Sequence, residues 1–368
     1  MKILFCTNVY QITENGPVKF AHYLLNINHI YPNHELHILT EDISTVEKDI
    51  HFVEIPNFIK KSSISQFYRM WAYHKAAMKI RKEFDFDVLI YNHAIVGLWS
   101  CFRFPKTIGM INDDNYIDFQ LSKFSKPSVI LKKSIFRTVE KIVAKKAYKI
   151  FVNSNYLKRK ILNEYHCPNH RLFVLYKGID LDKITIAAKS NIYPEKPVKI
   201  LFVKNDFVRG GLFILAQAIA SLPYTFELTI VGTNPDSESF IKSEFQELEN
   251  VTIYVLGKLP TEEIYQQLQI TDIFCVPSLN EALGIANLEA IASGVPVVSS
   301  SAGGIPEILD QGNSGWLAVP GDPKSLAFQI NNCIMGKIQR NLKVKNGLIH
   351  ARMYSITNTF QNFLLFAQ

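Results

Sequence analysis

The sequence predicts an α/β protein of two doubly wound domains, each a parallel sheet with helices on both faces. Three observations carry that expectation. At 368 residues the chain is too long for one ordinary domain and comfortable for two. Strand-length apolar runs alternate with helical patterns, and such alternation means parallel strands joined by crossover helices. A polar stretch with two prolines, Lys189 to Pro197, interrupts the series before it restarts. Hydrophobic residues make up 48% and charged residues 20%, which supplies two cores and excludes a disordered chain.

In the first half, Lys2–Thr7 is an apolar strand, followed by a loop at Gln11–Pro17 and a helical run from Val18 to His29. Glu35–Thr40 alternates polar and apolar residues, as a strand does. Further strands are expected at Phe52–Ile55, Val88–Tyr91, Thr107–Met110, Ile150–Val152 and Leu172–Leu175, with helices around Ser65–Phe84 and Val129–Tyr148. The second half repeats the grammar. Strands at Lys199–Val203, Glu227–Val231, Val251–Leu256, Ile273–Val276 and Val295–Ser299 alternate with helices at Leu212–Ser221, Thr261–Leu268, Leu283–Ser293 and Ser325–Met335. We therefore expect a first domain over residues 1–190, a second over 191–346, and a last helix, 347–368, packing back on the first. An interdomain cleft at the carboxyl ends of both sheets would hold ligands.

Charge is uneven. Residues 1–178 carry 26 Lys/Arg against 15 Asp/Glu, and residues 179–368 carry 14 against 18. Between Lys123 and Lys160 twelve cations face only Glu140, a block that suits an anionic partner or a solvated helix face. From Val129 to Tyr148, Leu131, Ile135, Val139, Ile142 and Val143 recur at helical spacing beside a stripe of Lys133, Arg137, Lys141, Lys145 and Lys149. With no apolar run of ~18–20 residues to span a bilayer, the expectation is a cytoplasmic protein, attached peripherally to an anionic inner membrane face. Five dispersed cysteines without a Cys-x-x-Cys pair fit a reducing compartment. The amino terminus reads as a strand and not a signal peptide. No aromatic-rich basic motif supports nucleic-acid binding.

The stretch Pro277 to Val298 carries the chemistry. A strand ends, a loop brings Glu281, and a helix then opens at Gly284. Backbone N–H groups at Ala282, Leu283 and Gly284 would form an anion site at that helix start. Glu289 follows within an apolar helix, where a carboxylate needs a partner.

This stretch closely resembles the nucleotide-sugar signature of family 4 retaining glycosyltransferases. So do Ser301–Ile308, Asn313–Asp322, Val152-Asn153-Ser154 and Lys177-Gly178-Ile179-Asp180. The resemblance implies the GT-B fold of two Rossmann-like domains, with the donor held by the second and the acceptor by the first. It implies a hexosyltransferase-type enzyme that takes a nucleotide-diphosphate sugar and extends a glycan or lipid-linked acceptor. It also implies no cofactor and no metal. Glu281 would contact the donor sugar's hydroxyls and Glu289 the ribose, while Gly257 and Lys258 would hold the base through backbone. Gly16, Asn205 and Arg209 would approach the phosphates, and His93 would lie by the reacting groups. The Asp-x-Asp pairs Asp85/Asp87 and Asp180/Asp182 read as loop structure rather than metal ligands.

The chain departs from the family pattern in three places. Asn15 replaces a glycine of the first loop, Asn112 stands where a histidine is frequent, and Gly210 stands where a lysine beside Arg209 is expected. Gly210 and Asn112 sustain a second reading, a catalytically weak homologue that binds a nucleotide sugar or a partner glycosyltransferase. A nucleotide-sugar epimerase shares the architecture, but the Pro277–Glu289 block argues against it.

Overall fold

The computed structural model describes residues 1–8, 16–41, 49–60, 62, 64–117, 127–187 and 192–368, with backbone alone at 16–19. Strands β1 (Lys2–Cys6), β2 (Glu35–Thr40), β3 (Ile50–Phe52), β4 (Val88–Tyr91), β5 (Thr107–Ile111), β6 (Lys149–Val152) and β7 (Leu172–Val174) form one sheet, in the order β3-β2-β1-β4-β5-β6-β7. A second sheet contains β8 (Val198–Val203), β9 (Phe226–Val231), β10 (Val251–Gly257), β11 (Ile273–Val276), β12 (Val297–Ser300) and β13 (Trp316–Ala318), in the order β10-β9-β8-β11-β12-β13. Neighbouring strands run parallel, with Ile3 opposite Leu36 and Val88 in the first sheet and Ile200 opposite Leu228 and Ile273 in the second. The central strands Val-Leu-Ile-Tyr (β4) and Ile-Phe-Cys-Val (β11) are buried throughout, which is why they read as unbroken apolar runs.

Two compact units result: Met1–Lys177 with Thr357–Gln368, and Gly178–Ile356. The boundary falls before the expected 190/191, because Ile179 bonds to the Tyr354 carbonyl and bridges Ser355 within the second unit. The tail differs from the single returning helix expected at 347–368. One helix, Lys337–Ala351, stays with the second unit: Gly347 lets it approach Ile291, whose Cβ would lie 3.2 Å from an added side chain. Only the helix Ile356–Ala367 reaches the first sheet. There Phe363 packs edge-on against Phe5, Phe20 and Phe151, at 6.0–6.3 Å between centroids.

Other elements also differ from expectation. The strand placed at Phe52–Ile55 lies at Ile50–Phe52, and β13 and the helices Asn155–Tyr165 and Glu238–Phe245 were not anticipated. Asn155–Tyr165 has only Leu157, Ile161 and Tyr165 buried, too thin an apolar stripe to stand out, and the Ser154 hydroxyl caps it by accepting from the Leu157 N–H at 3.1 Å. On the basic helix, Pro127–Lys146, the expected apolar stripe splits. Val139 and Val143 face the core while Leu131, Ile135 and Ile142 remain on the surface. Cations of the stripe are engaged in the fold: Arg137 pairs with Glu164 at 2.7 Å, and Lys149 donates to the Phe366 carbonyl at 2.8 Å.

The first unit buries Lys177, which is 2% exposed and whose Nζ has no hydrogen-bond partner among the described residues. Burial pushes its pKa down to about 7, against a pull upward from Asp113. An unfolded lysine keeps its proton to much higher pH, so folding releases protons and stability rises with pH between about 7 and 10.5. Lys177→Met should therefore raise the melting temperature at pH 7, by an amount that shrinks as pH approaches 10. A pH-independent effect in thermal melts would show that the buried amine is not the cause.

Candidate active site

In the second sheet the strand order reverses between β8 and β11, the switch point where doubly wound sheets bind ligands. The loops leaving those two strands are stitched together there. The Leu279 N–H donates to the Arg209 carbonyl at 2.8 Å, and the Gly304 N–H donates to the Glu281 carbonyl at 3.0 Å. Gly303 adopts φ +60°, and a Cβ on it would stand 1.7 Å from the Glu281 carbonyl oxygen. Only glycine permits that approach. The loop bearing Glu281 is thus held from both sides by backbone.

Lys204, just past β8, reaches across the switch point and forms an ion pair with the Glu281 carboxylate. Both side chains are about three-quarters buried, so the pair is only partly screened. Asn205 and Arg209 lie on the same loop with exposed side chains, and Arg209 is tied by its N–H to Asp206. Ala282, Leu283 and Gly284 lead into the helix Ile285–Ala292, whose first turn follows Gly284 at φ +97°. Glu289 is buried on that helix, and the Tyr265 hydroxyl donates to its Oε1 at 3.4 Å. Gly257 closes β10, its carbonyl accepting from the Gly232 N–H at 2.6 Å, with Lys258 exposed beyond it.

The first sheet reverses between β1 and β4, and there a cavity of about 180 Å³ opens. Its floor is an amide ladder: Asn153 donates to the Asn112 carbonyl at 2.8 Å, Asn112 to the Asn92 carbonyl at 2.6 Å, and Asn92 to the Thr7 hydroxyl at 3.2 Å. Each amide ties one strand end to the next, so Asn112 has a structural task. Arg69 meets Glu41 with two parallel bonds, 2.7 and 2.9 Å, and the Tyr73 hydroxyl donates to the Thr7 carbonyl at 2.9 Å. His93 lines the cavity. Burial lowers its pKa most, Asp113 opposes, and Arg69 lowers it further, so the imidazole is neutral near pH 7. Asn15 lies outside the described residues, and Gly16 enters only as the first residue of the helix Gly16–Leu24.

Residues 182–347 match the family Glycosyl transferases group 1, and residues 31–183 match Glycosyltransferase Family 4. The chain belongs to the family 4, group 1, glycosyltransferases. Over 172 residues it is 36% identical to the amylovoran biosynthesis glycosyltransferase AmsK of Erwinia amylovora, covering 44% of this chain and 41% of that protein. Over 179 residues it is 30% identical to the putative colanic acid biosynthesis glycosyltransferase WcaL of Salmonella typhimurium, covering 46% and 43%. The matched stretches span about two fifths of those relatives. In fold the chain resembles the crystal structure of Anabaena HepE in complex with UDP and glucose, with a TM-score of 0.73 at 19% identity over 99% of this chain and 98% of that one. The GT-B architecture of two Rossmann-like domains is therefore established.

Glycine at position 210 has a steric explanation. A Cβ on Gly210 would stand 2.7 Å from Phe202 Cζ and 2.8 Å from Lys204 Cγ. The Lys204 stem occupies the space a side chain at 210 would need, and its ammonium reaches Glu281. Sequence reasoning weighted Arg209 above Lys204. The signal available was that Lys204 directly follows the apolar run of β8, and so had to emerge at the strand's carboxyl end. The two Asp-x-Asp pairs serve structure: Asp87 accepts from the Lys2 N–H at 2.8 Å, Asp85 pairs with Arg81, and Asp180 accepts from the Asp182 N–H.

Proposed function

We propose that the protein transfers a sugar, with retention of configuration, from a nucleoside-diphosphate sugar to a hydroxyl of a glycan or lipid-linked acceptor in cell-surface polysaccharide or glycolipid synthesis. The single observation that carries this is the Lys204–Glu281 pair held at the second unit's switch point. It sets a carboxylate where sugar hydroxyls can be gripped and a cation where a diphosphate gains charge as it leaves. Glu289 takes the ribose, backbone at Gly257 and Lys258 the base, and Arg209, Asn205 and the start of the helix at Ala282–Gly284 the phosphates. The first unit holds the acceptor beside His93. The UDP and glucose named for HepE and the polysaccharides named for AmsK and WcaL support the substrate classes.

With cations and a helix start against the diphosphate, no metal is required, and transfer persists in EDTA. A panel of UDP-, GDP- and ADP-sugars, assayed for binding and slow donor hydrolysis with and without chelator, tests the reading. Binding and turnover of one donor class in EDTA is the expected result. Loss of turnover in chelator, restored by manganese or magnesium, sinks the metal-free mechanism. Binding without turnover supports the weak homologue, which Gly210 favours.

The acceptor's lipid link rests on the basic helix. Leu131, Ile135 and Ile142 stand outward at 63%, 39% and 37% exposure, and Lys132 and Lys145 are exposed with them. Glu140, the one acid of that block, is buried against the Tyr165 hydroxyl, and burial pushes its pKa up to about 8. At pH 7 it is protonated and offsets none of the surface charge. Each cation near an anionic leaflet contributes about 1 kcal/mol. Sedimentation with phosphatidylserine-containing vesicles should exceed that with neutral ones, weaken at high salt, and fall on changing Lys133, Lys141 and Lys145 to glutamate. Equal binding to both vesicle types removes the membrane from the proposal. Among the described residues no helix is long and apolar enough to cross a bilayer.

A further inference from the structure

The charge balance of the first unit's cavity restricts what sugar it can hold, an inference that rests on the acceptor-binding role just proposed. Arg69 is the lining cation, and Glu41 cancels it through two short bonds; the two side chains are 14% and 5% exposed. His93 brings no charge near neutral pH. Asp113 lies on the rim, exposed, and forms no ion pair among the described residues. Lys177, whose charge acts on Asp113, is buried outside the lining and loses its proton near pH 7. The described residues lining the cavity therefore carry about one net negative charge. A carboxylate or phosphate entering it would meet repulsion, with no free cation among the described lining residues to offset desolvation.

The polar groups point the same way. Gln66 lines the cavity with its Oε1 buried and without a hydrogen-bond partner among the described residues. That oxygen accepts only, so its complement is an O–H or N–H donor such as a sugar hydroxyl, and the discrimination against anions rests on the charge balance. At about 180 Å³ the cavity is smaller than the ~300–1,000 Å³ of sites for drug-sized ligands. It fits one ring, so a longer acceptor would enter it by a single sugar. We propose that this pocket takes a single uncharged sugar ring by its hydroxyls and excludes uronates and sugar phosphates.

The test uses the full chain at pH 8, where Lys177 is largely neutral. Dissociation constants are measured by calorimetry or saturation-transfer NMR for matched pairs: methyl glucoside and glucuronide, galactoside and galacturonide, mannoside and mannuronide. UDP, GDP and ADP are run in parallel. The neutral member of at least one pair should bind about tenfold more tightly than its uronide. Asp113→Asn should narrow that gap to about threefold or less, and Gln66→Leu should weaken the neutral ligand. Thermal melts matching wild type report that the first unit of each variant is folded, and nucleotide binding reports on the other unit. A uronide bound as tightly as its neutral partner overturns the inference. So does the absence of all glycoside binding by a protein that still binds nucleotide. If no nucleotide binds, the transferase reading falls, while the paired glycosides still decide the pocket's preference.

Discussion

Glu281→Ala is expected to lower the transfer rate by about two orders of magnitude or more, the ~3–4 kcal/mol typical of a lost transition-state contact. The carboxylate does two things at once. In the proposed transfer it grips sugar hydroxyls while the anomeric carbon gains positive character, and in the structure it holds the Lys204 ammonium across the switch point. Alanine removes both and leaves a largely buried lysine unpaired. Glu281→Gln separates the two roles, since the amide keeps a hydrogen-bonding shape and loses the charge. The measurement is kcat at saturating donor, together with the affinity for free nucleoside diphosphate. Because Glu281 is assigned to the sugar and not the nucleotide, nucleotide affinity should move far less than kcat. A wild-type rate in Glu281→Ala would overturn the assignment.

Lys204→Ala is the second large effect. Lys204 is the cation paired with Glu281 at the switch point, and its stem fills the space beside Gly210. Its removal should lower kcat about 100-fold and weaken nucleoside diphosphate binding about tenfold, since charge on the leaving group grows in the transition state. Arg209→Ala should cost less, because the Arg209 side chain is exposed and better screened. This reverses the weighting drawn from sequence alone, where Arg209 matched the family pattern. Kinetics of the two single variants decide between them. A larger loss at Arg209 would place the phosphate clamp further out on the loop.

How much of this was legible beforehand depended on the physics of each segment. β2, β4 and β11 have the bounds expected from their residues, because a strand buried or alternating over its whole length announces itself. The helix Asn155–Tyr165 was missed because three buried residues suffice when a capping serine and a neighbouring sheet do the rest. The basic helix was recognised as a helix, yet its inward face was not. Val139 and Val143 pack inside and Ile142 does not, and no periodicity separates adjacent residues so finely.

By itself the sequence determined the doubly wound class, the family and the residues of the Glu281–Glu289 block, because these rest on local order: strand, loop, acid, helix. Only the tertiary structure decided which cation faces Glu281, what Asn112 does and where the units divide. Lys204 and Glu281 are 77 positions apart, and the rungs of the asparagine ladder are 20 and 41 apart. Such contacts arise because parallel strands from distant parts of the chain end side by side. Charge compensation and steric exclusion, as at Gly210, act between neighbours in space, and a linear pattern carries no record of them.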